Sequence, residues 1–181
     1  MVVIPGRNFG PYVPQLFFPM FAAVRRGATA VAVEWSDPGQ AEALDGDALV
    51  GWVDRQVGPI LRGREPRATL LVAKSLGTLA SAGATSPDHP AIWVTPLLTH
   101  AAVVAALGRW RAPFLLVGGT ADPLWDGAVA RKLTPHVVEM TDADHGLFEP
   151  GPLDRSARNI AVLARAAEEF IDEYVWAERG P

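Results

Sequence analysis

Leu70-Leu71-Val72-Ala73 and Phe114-Leu115-Leu116-Val117 are apolar from end to end yet only four residues long. A strand with one wet face alternates apolar and polar residues; a continuous run belongs to a strand covered on both faces, as in a parallel sheet. Four further β-rich runs are expected at Val2–Ile4, Thr29–Trp35, Ile92–Thr95 and Val137–Met140, with the third and fifth strands at Thr69–Ala73 and Phe114–Val117. Between them the spacing turns helical. Leu49, Val50, Val53, Val57, Ile60 and Leu61 recur at three- and four-residue steps, and Gly58-Pro59 is expected to kink or end that helix early. Leu153, Ala157, Ile160, Ala164, Ala167, Ile171 and Tyr174 predict the buried face of a last helix opened by Gly151-Pro152. The segment Pro11–Arg26 also reads as helical, although Pro11, Pro14 and Pro19 all fall in it. Strands alternating with helices predict an α/β sheet with right-handed crossovers, in one domain over residues 1–181.

Composition removes several kinds of chemistry. There is no cysteine, which excludes a disulfide framework, a thiolate zinc site, an iron–sulfur cluster and a cysteine nucleophile. A net charge of −4 argues against nucleic acid as a partner, since duplex binding needs clustered basic charge. The opening Met1-Val2-Val3-Ile4-Pro5-Gly6 has no basic region before its apolar one, so no targeting segment is expected and a cytoplasmic location is. The 20 uncharged residues from His89 to Gly108 could span a bilayer, but Pro90 and Pro96 interrupt them. They read instead as strand, turn and helix, with Thr99 as a possible cap, and no membrane association is expected.

In Leu70–Ala80 a buried strand runs straight into Ser75, and a helix of small residues follows. A serine there sits on a sharp strand-to-helix turn with a strained backbone and an exposed hydroxyl. Ala73 and Gly77, two residues before and after, are small enough to let the turn close, and the Leu76 N–H at the helix start would face a developing oxyanion. Two plainer readings stand beside this one. Ser75 could be a helix N-cap. Lys74-Ser75 could also end a phosphate loop, although Ala73 and Ala68 occupy the positions where that loop needs glycine. Downstream, Gly118-Gly119-Thr120-Ala121-Asp122-Pro123 puts an aspartate at the end of the fifth strand, and Asp144-His145-Gly146-Leu147-Phe148 puts a histidine just past the sixth. A serine hydroxyl needs a base to take its proton, and the imidazole needs a carboxylate to fix its tautomer. Three strand ends can supply the set only if the sheet is parallel and those strands are near neighbours.

On these residues the sequence resembles a small serine hydrolase of the α/β-hydrolase superfamily with no separate cap domain. A-K-S-L-G at Ala73–Gly77 is similar to the nucleophile elbow G-x-S-x-G, G-G-T-A-D-P at Gly118–Pro123 to the acid-bearing strand end, and D-H-G-L-F at Asp144–Phe148 to the histidine loop. Val3–Arg7 resembles the first strand and its H-G turn, with Pro5 in place of the histidine. The resemblance implies six parallel strands in the order 2-1-3-4-5-6, there being no room before Val2 for two antiparallel ones. It further implies a crevice at the switch point between strands 1 and 3. Its second oxyanion donor falls on Arg7, with Asn8 as the alternative.

The expected roles are therefore Ser75 as nucleophile, His145 as base, Asp122 as its carboxylate, and the N–H groups of Leu76 and Arg7 as the oxyanion hole. Asn8, Phe9, Leu97 and Trp125 are expected at the substrate, with Tyr12, Leu98, Leu124 and Phe148 near the mouth. Among rival histidines, His89 reads as solvated, His136 as structural, and His100 as able to approach the site. Asp144 is adjacent to His145 and poorly placed to orient it; Asp126 reads as a helix cap, and Lys74 as solvated or locally paired. The expected reaction is cleavage of a small-molecule carboxylic ester or thioester through an acyl-enzyme, with no cofactor and no metal. Little room for a lid between strands 4 and 5 predicts an open site. A hydrolase-like fold used only for binding is the alternative, and a flavodoxin-like nucleotide binder a third. The oligomeric state is not legible.

Overall fold

The computed structural model describes residues 1–8 and 10–175. Among them six strands, β1 (Val2–Ile4), β2 (Val31–Ala32), β3 (Leu71–Lys74), β4 (Ala91–Val94), β5 (Phe114–Gly119) and β6 (Val137–Met140), form one sheet. Its order is β2-β1-β3-β4-β5-β6 and every neighbouring pair is parallel. The pleat sends alternate residues to opposite faces. Ile4, Ala73, Trp93 and Leu116 join one core with residues of α2 (Gly46–Leu61), α3 (Ala101–Leu107) and α4 (Gly127–Leu133). Val3, Val72, Ile92 and Val117 join a second core with residues of α1 (Pro14–Val24) and α5 (Leu153–Tyr174). Both faces are covered, as the continuous apolar runs require. No helix among the described residues is long and apolar enough to cross a membrane, and the uncharged stretch His89–Gly108 contains β4, a turn and α3.

Several elements differ from expectation for local physical reasons. The run Thr29–Trp35 yields only Val31–Ala32 as strand, because β2 is an edge with one neighbour. Backbone bonds still flank it: the Met1 ammonium donates to the Thr29 carbonyl and Val33 N–H to the Val3 carbonyl. Pro59 does not end α2 early. It lies in the last turn, and the helix runs two residues past it to Leu61 and closes with Arg62 N–H donating to the Gly58 carbonyl. Pro14 does not prevent α1, since it occupies the first turn, and the helix also continues through Pro19 to Val24. In α5 the buried face is turned from the expected one: Ser156, Leu163, Ala167, Phe170 and Ile171 are buried and Leu153 is exposed. The residue at the N-cap of α3 is His100 rather than Thr99.

Candidate active site

The carboxyl ends of β1, β3, β5 and β6 converge on Ser75. The serine follows β3 directly and opens a 3-10 helix over Ser75–Ala82. Its φ is 51°, a left-handed conformation that costs a non-glycine residue about 1–3 kcal/mol. The turn closes because Gly77 has no side chain: a Cβ there would stand 2.4 Å from the Ile4 carbonyl oxygen and 2.8 Å from that of Pro5. The hydroxyls of Thr78 and Ser81 donate back to the carbonyls of Ser75 and Thr78, which keeps the helix tight.

Ser75 Oγ lies 2.7 Å from His145 Nε2, and His145 Nδ1 lies 2.7 Å from Asp122 Oδ2. The Asp122 side chain is fully buried, and its other oxygen accepts the Leu124 N–H at 2.9 Å. The turn bearing Asp122 presses on the histidine loop. Ala121 N–H donates to the Ala143 carbonyl, and a Cβ on Gly119 would stand 2.1 Å from that same oxygen. Asp126 caps α4 by accepting the N–H groups of Ala128 and Val129.

The histidine loop is held from several sides. Asp144 Oδ1 accepts the N–H groups of Gly146 and Phe148. Three successive carbonyls are each taken by a side chain from a different element. Lys74 Nζ donates to His145 O, Gln15 Nε2 to Gly146 O, and Asn159 Nδ2 to Leu147 O. The sequence alone points to none of these partners. Gln15 had one local signal, a polar side chain in an apolar helix segment, but it carries meaning only once that face is known to be buried.

Lys74 is not solvated. It is 6% exposed, and Nζ also donates to Thr95 Oγ1. Burial pulls its pKa down to about 8, partly opposed by the charges of Asp122 and Asp144. Above about 8 and below the ordinary lysine value, the unfolded chain keeps a proton that the folded chain has released, so this group's contribution to stability rises with pH. Below about 8 both states are protonated and the cost of burying the charge is fully present. Lys74→Met lacks this titration. Urea unfolding at about pH 7.5 and about pH 9.5 should show the wild type gaining about 2 kcal/mol relative to the variant. An unchanged difference would show that the ammonium is as well solvated as a surface lysine.

His89 is likewise buried rather than solvated: its Nδ1 lies 3.0 Å from the Thr69 carbonyl, and burial lowers its pKa. His136 packs against Phe170 and Tyr174. His100 does approach the site. It lines a 440 Å³ cavity with Ser75, Leu76, Arg7, Asn8 and Leu97. Trp125 does not line that cavity; it is buried and its Nε1 donates to Glu139. Leu124 lines the cavity, Leu98 lies in the core, Tyr12 is exposed, and Phe9 lies outside the described residues. A cavity of 530 Å³ sits near the amino ends of β3 and β4, beside His89, away from Ser75.

The fold is similar to that of a lid-less α/β serine hydrolase from Xanthomonas campestris (TM-score 0.62, 19% identical, covering 99% of this chain and 84% of that one). The chain has an α/β-hydrolase fold. Mouse α/β-hydrolase domain-containing protein 10 is similar over 95% of this chain and 89% of its own, with a TM-score of 0.65 and 16% identity. An esterase domain from Rhodothermus marinus is similar over 96% and 86%, with a TM-score of 0.61 and 14% identity. No protein-family model and no curated relative matches the sequence. Within this α/β-hydrolase fold the connection from β4 to β5 carries α3 alone. The His145 side chain keeps 32% of its surface exposed, so the site is open to solvent.

Proposed function

We propose that the protein is a serine hydrolase that cleaves a carboxylic ester or thioester through an acyl-enzyme on Ser75. The observation that carries this reading is the unbroken chain from Ser75 Oγ through the imidazole of His145 to the buried carboxylate of Asp122, both steps at 2.7 Å. With Nδ1–H donated to Asp122, Nε2 is left as the acceptor for the serine proton. Ser75 Oγ attacks the acyl carbon and His145 takes its proton. His145 then protonates the leaving atom as the bond from that atom to carbon breaks. Water, deprotonated by the same nitrogen, releases the acid and restores Ser75.

The tetrahedral oxyanion is met by backbone donors. The first N–H groups of a helix have no partner within it, and Leu76 is the second residue of the helix that Ser75 opens. Arg7 is favoured as the second donor by its neighbour. Trp35 Nε1 donates to the Gly6 carbonyl at 3.0 Å, and in a trans peptide the N–H of Arg7 then points the opposite way. The two structural neighbours described as a serine hydrolase and an esterase lend support through their fold.

A fluorophosphonate probe tests this directly. It should label the folded protein once, at Ser75, by peptide mass mapping. Folded protein left unlabelled, with no turnover across an ester panel, would remove the enzyme reading in favour of a binding scaffold.

A further inference from the structure

Ser75 and His145 each line a different cleft, one toward each layer of helices. The first is the 440 Å³ cavity holding Ser75 and Leu76, walled by Leu49 and Leu97 from the α2 and α3 side. The second, of 460 Å³, lies on the α1 side, where Val13, Pro14 and Phe148 line it together with His145 and Lys74. Its polar neighbours are largely engaged: Gln15 donates to the Gly146 carbonyl, and Lys74 spends two of its three N–H groups on Thr95 and the His145 carbonyl. What it offers a ligand is mainly carbon, from Val13, Pro14 and Phe148. Phe148 lies over Gly146 of the histidine loop and still leaves 52% of its surface exposed, so its ring gives this cleft an aromatic wall.

We propose that this second cleft is the leaving-group site, and that it takes an apolar alcohol or thiol. The inference rests on acylation of Ser75, and the side follows from the proton's path. In the acylating step the Ser75 Oγ–acyl carbon bond forms, and the bond from acyl carbon to alcohol oxygen or thiol sulfur breaks. The proton passes from Oγ to Nε2 and then to the departing atom. That atom therefore sits within hydrogen-bond reach of His145 Nε2, and the group it carries extends past the imidazole, where Val13, Pro14 and Phe148 wait. The acyl carbonyl oxygen faces Leu76 N–H, so the acyl chain lies in the first cavity. A neutral apolar group on the leaving side gains by leaving water, and each added methylene should raise kcat/KM about two- to four-fold until the cleft is full.

The experiment uses two substrate series on the full chain. One holds the acyl group as acetate and varies the alcohol from ethyl through butyl and hexyl to benzyl. The other holds 4-nitrophenol and lengthens the acyl chain. Phe148→Ala should flatten the alcohol series, cutting the benzyl-to-ethyl preference about ten-fold, while the acyl-chain preference keeps its slope. Leu97→Ala should do the reverse. Phe148→Leu, which keeps the fold and part of the apolar surface, should fall between. If Phe148→Ala changes both series alike, or only the acyl series, the assignment is overturned. A nitrophenolate burst with an alcohol series flat in the wild type sinks the leaving-group site alone. Absence of any acyl-enzyme on folded protein sinks the hydrolase reading and this inference with it.

Discussion

Ser75→Ala is expected to lower kcat on 4-nitrophenyl acetate about a millionfold while the fold persists, measured by nitrophenolate release beside a circular dichroism melt. In the proposed mechanism Ser75 works as one unit with His145 and Asp122, so its removal would forfeit their work as well and leave only substrate binding and backbone stabilisation of the oxyanion. A variant within about tenfold of the wild type would show that another group attacks. Ser75→Gly gives a companion reading. It removes the same hydroxyl but accepts the φ of 51° without strain. It should therefore outlast Ser75→Ala in urea by about 1 kcal/mol. Equal midpoints would mean that the turn relaxes once the hydroxyl is gone.

Asp122→Asn is the second large effect, about 10⁴-fold in kcat with little change in KM. Its direction follows from the two partners of the carboxylate. Oδ1 accepts the Leu124 N–H at 2.9 Å, so the asparagine carbonyl must take that place. The amide NH2 is left facing His145 Nδ1, which then has to accept. The imidazole proton moves to Nε2, opposite Ser75 Oγ, where a base is needed. Steady-state kinetics with the nitrophenyl ester and the rate of fluorophosphonate labelling should fall together. Normal labelling in this variant would mean that Asp122 does not set the tautomer.

The two variants probe the part of the site that local sequence already described. Ser75, Asp122 and His145 each follow a β-rich run, and a strand end is a local event. The 3-10 helix after Ser75 needs a residue without a side chain at position 77, and the requirement is visible before the contact with Ile4 is known. Other residues take their roles from partners far along the chain. Lys74 looks solvated until Thr95 and the His145 carbonyl are placed around it, 21 and 71 residues away. Trp125 looks like a pocket aromatic until Glu139, 14 residues on, takes its N–H. Trp35 carries no message until the Gly6 carbonyl, 29 residues before it, is found at its nitrogen. Along α5 the apolar periodicity established a helix and nearly its face. Packing against β5, β6 and α1 chose Leu163 and Phe170 over Leu153.

The amino-acid sequence by itself determined the parallel α/β architecture, because continuous apolar runs cannot be left wet. It also determined which three side chains stand at strand ends, because turn geometry depends on immediate neighbours. The tertiary structure alone decided which groups hold the His145 loop, which peptide beside Ser75 turns its N–H away from Trp35, and on which side of the imidazole an apolar cleft opens. Those are matters of contact between distant segments, and a backbone carbonyl carries no mark in the sequence of the donor that will reach it.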